Sequence, residues 1–325
     1  MIKIKLFFFL LLISFQAFCL ESVTIPGALC GNGSPYKVFV DVQSREKLMV
    51  EFMGGGACWD FQSCFIVPHT WIFPIPNIIS LSIFTNNDSD LNFLKSHSKI
   101  YFPYCTGDIH SGNHIGHYAN NTKVYHYGER NISLGLAYLK EKGIISFDTV
   151  NDLVVWGVSA GALGTMIHSN KIEKMVPSSA HKAMIIDSPG LHWGKDFWKK
   201  FPAETIADFN RVFSPLNVNL TFQDGFIAKD LRNFFTLYKD WSIGFLFGTK
   251  DLIMSTVFGD ISPQDQENLI LSKKGMPRLS LEYPNSSVWV KDTYVHTFLL
   301  VPQTANFNSF DGVTAIDFAR SVYLR

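Results

Sequence analysis

Five short apolar runs recur along the chain, and each leads into a glycine-rich or polar turn. The runs cover residues 47–53, 99–102, 152–156, 183–186 and 243–247. Continuous apolar runs of this length are typical of strands that are buried on both faces of a parallel sheet. We therefore predict that these segments are strands of one mostly parallel sheet.

Helical patterns lie between the predicted strands. The segment 130–142 carries apolar residues at helical spacing and stops at Gly143, and a second helix starts at 161–168, directly after a strand. The alternation predicts an α/β fold with a doubly wound, mostly parallel sheet flanked by helices. Residues 61–95 and 195–240 are aromatic-rich and less regular, which fits either cap-like insertions over a pocket or packed surface helices and loops.

The first 19 residues have the pattern of a secretory signal peptide. Two lysines precede an apolar run at 6–15, and the small residues Ala17 and Cys19 fit a cleavage site. The run is too short to span a bilayer, which needs about 20 apolar residues. We expect 1–19 to be removed and 20–325 to form a single catalytic domain, located outside the cell or in the periplasm.

Charge and cysteine content narrow the function classes. The chain has 28 basic and 28 acidic residues and no basic stripe, so nucleic acid is excluded as an expected partner. Beyond Cys19 four cysteines remain, an even number that predicts two disulfides in an exported chain. Their spacing does not match the usual zinc clusters, and three disulfide connectivities are open at this point.

The sharpest chemical motif is Gly157-Val158-Ser159-Ala160-Gly161. This G-x-S-x-G pattern follows an apolar strand and precedes a helix, the context in which α/β-hydrolases expose a nucleophilic serine. The helix N-terminus favours negative charge that develops beside the serine. We predict that Ser159 is the nucleophile.

A glycine-rich loop follows an early strand and supplies candidate oxyanion donors. Residues 54–56 are three consecutive glycines, whose backbone N–H groups can converge without obstruction by side chains. The loop lacks the Lys-Ser/Thr ending of a phosphate-binding loop and the spacing of a dinucleotide fingerprint. Gly55, Gly56 and Ala160 are therefore the predicted oxyanion hole.

The order of residues along the chain indicates which histidine is the catalytic base and which aspartate is the best candidate for the catalytic acid. In this type of fold the serine is followed by an acid and then by a histidine, and His296 alone leaves room for an acid at a strand end after Ser159. Asp251 follows a predicted strand and turn and is our choice of acid. Asp187, one strand earlier, is the rival and could instead support the pocket; Asp260 is a third option.

A histidine-rich loop offers an alternative chemistry. Residues 105–117 include His110, His114 and His117, which could be proposed as metal ligands. Their spacing matches no compact zinc signature, and the loop is rich in Gly, Ser and Asn. A metal-dependent hydrolase therefore stays as an alternative, and a non-catalytic binding protein on the same scaffold is another.

Several blocks together resemble the pectin acetylesterase/Notum family, and the bacterial branch most of all, where a histidine follows the second block as His110 does here. The blocks are 54–59 (GGGACW), 104–108 (YCTGD), 157–161 (GVSAG), 187–190 (DSPG) and 296–297 (HT). They keep the order of the family and extend over most of the mature chain. Pro189 departs from the small residue expected in the fourth block.

The resemblance implies an α/β-hydrolase fold and a serine carboxylesterase without a cofactor. It places the triad on Ser159, Asp251 and His296 and the oxyanion donors on Gly55, Gly56 and Ala160, and its paired cysteines match Cys58–Cys64 and Cys30–Cys105. Members deacetylate pectin or remove a lipid acyl group from a signalling protein. We expect a secreted esterase that removes short acyl groups, such as acetyl, from a carbohydrate, with a lipid deacylase or thioesterase as the alternative.

Overall fold

The computed structural model describes residues 20–66, 70–74, 82–216, 218, 220 and 222–325. The predicted signal peptide lies outside the described residues. Within the described part, no helix is both long enough and apolar enough to cross a membrane.

A twisted eight-stranded sheet forms the centre of the described chain, in the order β1-β2-β4-β3-β7-β8-β9-β10. The pairs β1–β2 and β2–β4 are antiparallel, and all other neighbours in this sheet are parallel. Two further strands, β5 and β6, form a separate antiparallel hairpin. The strands are β1 (Glu21–Leu29), β2 (Pro35–Asp41), β3 (Lys47–Phe52), β4 (Ser98–Phe102), β5 (His114–Tyr118), β6 (Thr122–His126), β7 (Asp152–Val158), β8 (His181–Asp187), β9 (Ser242–Gly248) and β10 (Ser286–Lys291).

Helices cover both faces of the sheet. Side chains of one face, such as Val50 and Phe52, pack with helices α1 to α4, whereas Met49 and Trp156 face the opposite side and pack with α8. The α-helices are α1 (Gly128–Glu141), α2 (Ala160–Glu173), α3 (Ala203–Phe213), α4 (Arg232–Leu237), α5 (Pro263–Ile270), α6 (Met276–Ser280), α7 (Pro302–Ala305) and α8 (Ala315–Tyr323). The α/β prediction is confirmed.

The five predicted strands correspond to β3, β4, β7, β8 and β9, and the two predicted helices to α1 and α2. Their ends differ by up to five residues, because α2 continues past the predicted 161–168 to Glu173. The irregular segment 195–240 contains α3 and α4, whose Phe209 and Phe234 are buried in the core, so much of it is packed helix. Segment 61–95 also buries Phe84 in the second core, although part of it lies outside the described residues.

Both disulfides form as expected. The Cα atoms of Cys30 and Cys105 are 5.1 Å apart, and those of Cys58 and Cys64 are 5.0 Å apart, within the usual range for a bridged pair. Cys58 lies two residues after the glycine loop, and its N–H donates to the carbonyl oxygen of Gly107 at 2.9 Å. The bridges therefore fix the segments that surround the predicted oxyanion hole.

Candidate active site

Ser159 lies at the sharp turn between β7 and α2. Its backbone has φ 56° and ψ −124°, a conformation that is costly for a residue with a side chain, and it persists because its surroundings hold it. A Cβ atom on Gly161 would lie 1.9 Å from the carbonyl oxygen of Phe52, so only glycine lets the helix approach β3. The Ser159 N–H donates to the Asp187 carbonyl oxygen at 2.8 Å, which ties the turn to the end of β8.

The glycine loop runs directly beside this turn. A Cβ atom on Gly55 would lie 2.0 Å from the ring of Tyr104, so the loop can pack there only without a side chain. The Tyr104 hydroxyl donates to the carbonyl oxygen of Gly56 at 2.6 Å and accepts from the N–H of Ile109 at 2.7 Å. The tyrosine thus fixes the peptide orientation of the loop, a contact that the sequence motif did not indicate.

The histidine-rich segment is only partly the predicted loop, because His114 and His117 lie on strand β5. Its histidines serve packing and hydrogen bonding. His110 is buried, and its Nε2 lies 2.8 Å from the Met53 carbonyl oxygen, directly before the glycine loop. Burial lowers the pKa of His110 to about 4, so the ring is neutral and donates to that carbonyl. His114 instead contacts the Asp208 carboxylate through Nδ1 at 2.7 Å. Within the described residues, no group of three or more metal-ligating side chains forms a candidate metal site.

Asp251 and His296 form a hydrogen-bonded pair. The Asp251 Oδ2 atom lies 2.6 Å from Nδ1 of His296, and its Oδ1 accepts from the N–H groups of Ile253 and Met254 at 2.9 and 3.0 Å. These bonds fix the carboxylate, and the carboxylate in turn orients the imidazole. Nε2 of His296 is buried and has no hydrogen-bond partner in the described part of the chain.

Asp187, the rival acid, has a different set of partners. Its Oδ2 accepts from the N–H groups of Phe298 and Leu299 at 2.7 and 2.8 Å, and its Oδ1 accepts from the Ser188 hydroxyl at 2.9 Å. Burial raises the pKa of Asp187 to about 6, against the lowering effect of these bonds and of His296. Asp187 therefore anchors the loop that carries His296.

Asp260, the third candidate acid, belongs to another region. It forms an ion pair with Lys200, whose Nζ lies 2.5 Å from Oδ2, and its side chain is 59% exposed. Of the three aspartates considered from the sequence, Asp251 is therefore the one that contacts the His296 ring.

Two cavities meet at Ser159. The larger, of about 500 Å³, is lined by the glycine loop, by His296, by the polar residues Glu51 and Tyr101, and by apolar side chains such as Val158. The smaller, of about 20 Å³, lies on the other side of the serine and is bounded by Ala160, Trp193, Phe197, Met254 and Phe258. Ser159 is therefore accessible from a large chamber and from a space that holds roughly one water-sized group.

The arrangement resembles known proteins in both sequence and fold. A family model described as "Pectinacetylesterase" matches residues 13–196, a range that includes Ser159 and the glycine loop. Pectin acetylesterase 11 of Arabidopsis thaliana is 24% identical over 237 residues, which are 66% of this chain and 58% of that protein. The chain therefore matches less than two thirds of that relative's length.

Solved structures support the fold assignment. Two crystal forms of the Wnt deacylase Notum from Drosophila superpose with TM-scores of 0.65 and 0.63. Each is 17% identical, and the match covers 94% of this chain and 92% of the Notum chain. The central sheet and its flanking helices are thus common to both proteins.

Proposed function

The chain belongs to the pectinacetylesterase family, and from that membership we propose that it is a secreted serine carboxylic ester hydrolase. The observation that carries the proposal is that Ser159, at its strained turn, lines the same cavity as His296, whose Nε2 has no hydrogen-bond partner among the described residues. A hydroxyl and an imidazole that share a substrate cavity are the parts that acyl transfer requires.

The proposed reaction has two halves. His296 takes the proton of Ser159, whose oxygen attacks the ester carbonyl, while Asp251 holds the ring in the required tautomer. The N–H groups of Gly55, Gly56 and Ala160 stabilise the oxyanion. His296 then donates its proton to the leaving alcohol, and water hydrolyses the acyl-enzyme by the same steps. None of these steps needs a cofactor.

The two cavities favour a short acyl group. Because His296 delivers the proton to the leaving oxygen, the alcohol must lie in the larger cavity, which His296 lines. The acyl group then enters the smaller cavity, whose volume of about 20 Å³ suits the methyl of an acetyl group. Trp193 and Phe197 stack with ring centroids 4.0 Å apart and limit its depth.

A long-chain deacylase is the second candidate, and one observation favours it. The larger cavity has about 500 Å³ and several apolar walls, so a long acyl chain could occupy it in the opposite orientation. That orientation would put the chain end against the buried polar groups Glu51 and Tyr101, which is costly. The preferred substrate is therefore an acetyl ester of a larger, polar alcohol such as a carbohydrate.

Export from the cytoplasm is part of the proposal. The N-terminal segment has the features of a signal peptide, and the two disulfides are of the kind that persist in oxidising compartments. Detection of the processed chain in the medium or periplasm of the producing cell, with its new N-terminus near residue 20, would test it.

The function is tested with p-nitrophenyl esters of increasing acyl length. We expect turnover of the acetate and a steep fall in kcat/KM for esters with longer acyl chains. Ser159→Ala should lose at least roughly 10³-fold in kcat, and a serine-reactive phosphonate should label Ser159 covalently. Ser169→Ala, whose serine lies on the same helix but bonds the Thr165 carbonyl oxygen, is the matched control. Activity that survives Ser159→Ala, or that a chelator abolishes, contradicts the mechanism; a maximum at long chains selects the deacylase.

A further inference from the structure

Three polar-tipped side chains lie in register across the centre of the sheet. Tyr101 on β4 pairs with Glu51 on β3, and Glu51 pairs with Trp156 on β7. All three side chains are on the same face and are at least 98% buried. Neighbouring positions on that face, such as Met49 and Val154, are apolar, as expected for a buried parallel sheet. The polar row therefore departs from the pattern of the strands that carry it.

The hydrogen bonds of this row are incomplete. Oε2 of Glu51 accepts from the Ser82 hydroxyl at 3.0 Å. The hydroxyl of Tyr101 has no partner in the described chain, although a buried hydroxyl normally has one. Leaving it unpaired costs free energy, which a bound polar group would offset. Tyr101 and Glu51 both line the larger cavity that contains Ser159 and His296, so a substrate can supply that group.

Glu51 and Tyr101 are both uncharged at neutral pH, so an uncharged polar group is the ligand that suits them. Burial raises the pKa of Glu51 to about 8, against the lowering effects of Ser82, Trp156 and the Lys99 ammonium. Lys99, the cation that acts on Glu51, is itself paired with Asp41 at 3.4 Å and contacts Asn87. At neutral pH the Glu51 carboxyl is therefore mostly protonated, and it can both donate and accept a hydrogen bond.

We propose that Glu51 and Tyr101 form a hydroxyl-binding subsite for the alcohol portion of the ester. This inference rests on the proposed function, because the alcohol is assigned to the cavity in which His296 protonates the leaving oxygen. A carboxylic acid and a phenol, each able to donate and to accept, complement the hydroxyl groups of a polyol such as a sugar ring. The apolar side chains that line the same cavity can accommodate the carbon face of the ring.

The test compares two acetyl esters of similar shape. Methyl 6-O-acetyl-α-glucopyranoside and cyclohexylmethyl acetate are both esters of a primary alcohol on a six-membered ring, and the first carries free ring hydroxyls. The measured quantity is the ratio of their kcat/KM values, from acetate release. We expect a ratio well above one for the wild type, because a site built to bind hydroxyls rejects an analogue that lacks them.

Two substitutions probe the subsite. Tyr101→Phe removes one oxygen atom and should lower the ratio roughly tenfold, the effect of one lost hydrogen bond. Glu51→Leu should lower it as well, whereas Glu51→Gln, which keeps a donor and an acceptor, should retain most of it. Tyr36→Phe is the matched control, because this buried tyrosine donates to the Pro103 carbonyl oxygen, and it should leave the ratio unchanged.

The possible outcomes distinguish failure of the subsite proposal from failure of the proposed function. An unchanged ratio in both Tyr101→Phe and Glu51→Leu, with melting temperatures close to the wild type, overturns the subsite while Ser159-dependent hydrolysis stands. Such a result would mean that water alone satisfies the Tyr101 hydroxyl. Acetate release that persists in Ser159→Ala, or no release from either ester or from p-nitrophenyl acetate, overturns the proposed function and with it the subsite.

Discussion

A buried acid that holds its proton makes the folded state sensitive to pH. Glu51 is 2% exposed, and burial raises its pKa from about 4.5 to about 8. Between these values the folded chain retains a proton that the unfolded chain has lost. Raising the pH through this window therefore lowers the free energy of unfolding, with a slope of about 1.4 kcal/mol per pH unit from this group alone.

Glu51→Gln removes the titration while keeping the size of the side chain. Between pH 5 and pH 7.5 the wild type should lose about 3 kcal/mol of unfolding free energy more than the variant, because the full slope over 2.5 pH units is reduced slightly near each of the two pKa values. Other groups, including the buried Asp187 with its pKa raised to about 6, titrate in both proteins and cancel in the difference. The stability of Glu51→Gln relative to the wild type should therefore increase as the pH rises.

The assay is urea unfolding with both disulfides intact, followed by tryptophan fluorescence at pH 5.0, 6.25 and 7.5. Glu141→Gln is the control, because that side chain is 73% exposed, and its curve should parallel the wild type. If the difference between wild type and Glu51→Gln changes by less than about 0.5 kcal/mol across the range, the buried carboxyl does not hold its proton and the reasoning is refuted.

Substitutions at three further positions address the site. Asp251→Asn should lower kcat for p-nitrophenyl acetate by roughly 10⁴-fold at an unchanged melting temperature, since the amide no longer fixes the His296 tautomer; a loss below tenfold would exclude Asp251 as the acid. Gly55→Ala should lower kcat by roughly 10²-fold or more, because the added Cβ displaces the loop from Tyr104. A variant with the kcat of the wild type would show that this loop is not part of the oxyanion hole. Asp187→Ala should lower the free energy of unfolding in urea by about 2–3 kcal/mol and should reduce kcat. Asp187→Asn should keep most of the stability and most of the activity, because its amide oxygen still accepts from both N–H groups. Equal losses in the two variants would argue against an anchoring role for Asp187.

Much of the fold and several positions of the candidate site can be predicted from short sequence patterns. Ser159 lies in a motif whose strand-turn-helix context is visible in the sequence, and the central strands are continuous apolar runs. Strands β1, β2, β5, β6 and β10 are not among the predicted strands, because none of them is a long continuous apolar run. At the two sheet edges, β1 and β10 bury only alternate or scattered residues. Edge strands carry a weaker hydrophobic signal than central ones.

The choice between the two aspartates shows where sequence information ends. Asp187 is the last residue of β8, Asp251 lies three residues after the end of β9, and each carboxylate is buried. One accepts from backbone N–H groups and the other contacts an imidazole, a difference that depends on how the loop around His296 folds back. Glu51 was overlooked for a similar reason, because one acidic residue at the end of an apolar run does not reveal that Tyr101 lies beside it.

The disulfide pattern gives the site a dependence on oxidation. Cys58–Cys64 closes a loop two residues beyond Gly56, and Cys105, joined to Cys30, follows the tyrosine that orients the Gly56 peptide. A chain that has not yet been oxidised lacks both covalent ties around the glycine loop. If the proposed function is correct, catalytic competence depends on thiol oxidation, and we expect a chain produced under oxidising conditions, with both bridges formed, to be more active than a chain with four free thiols.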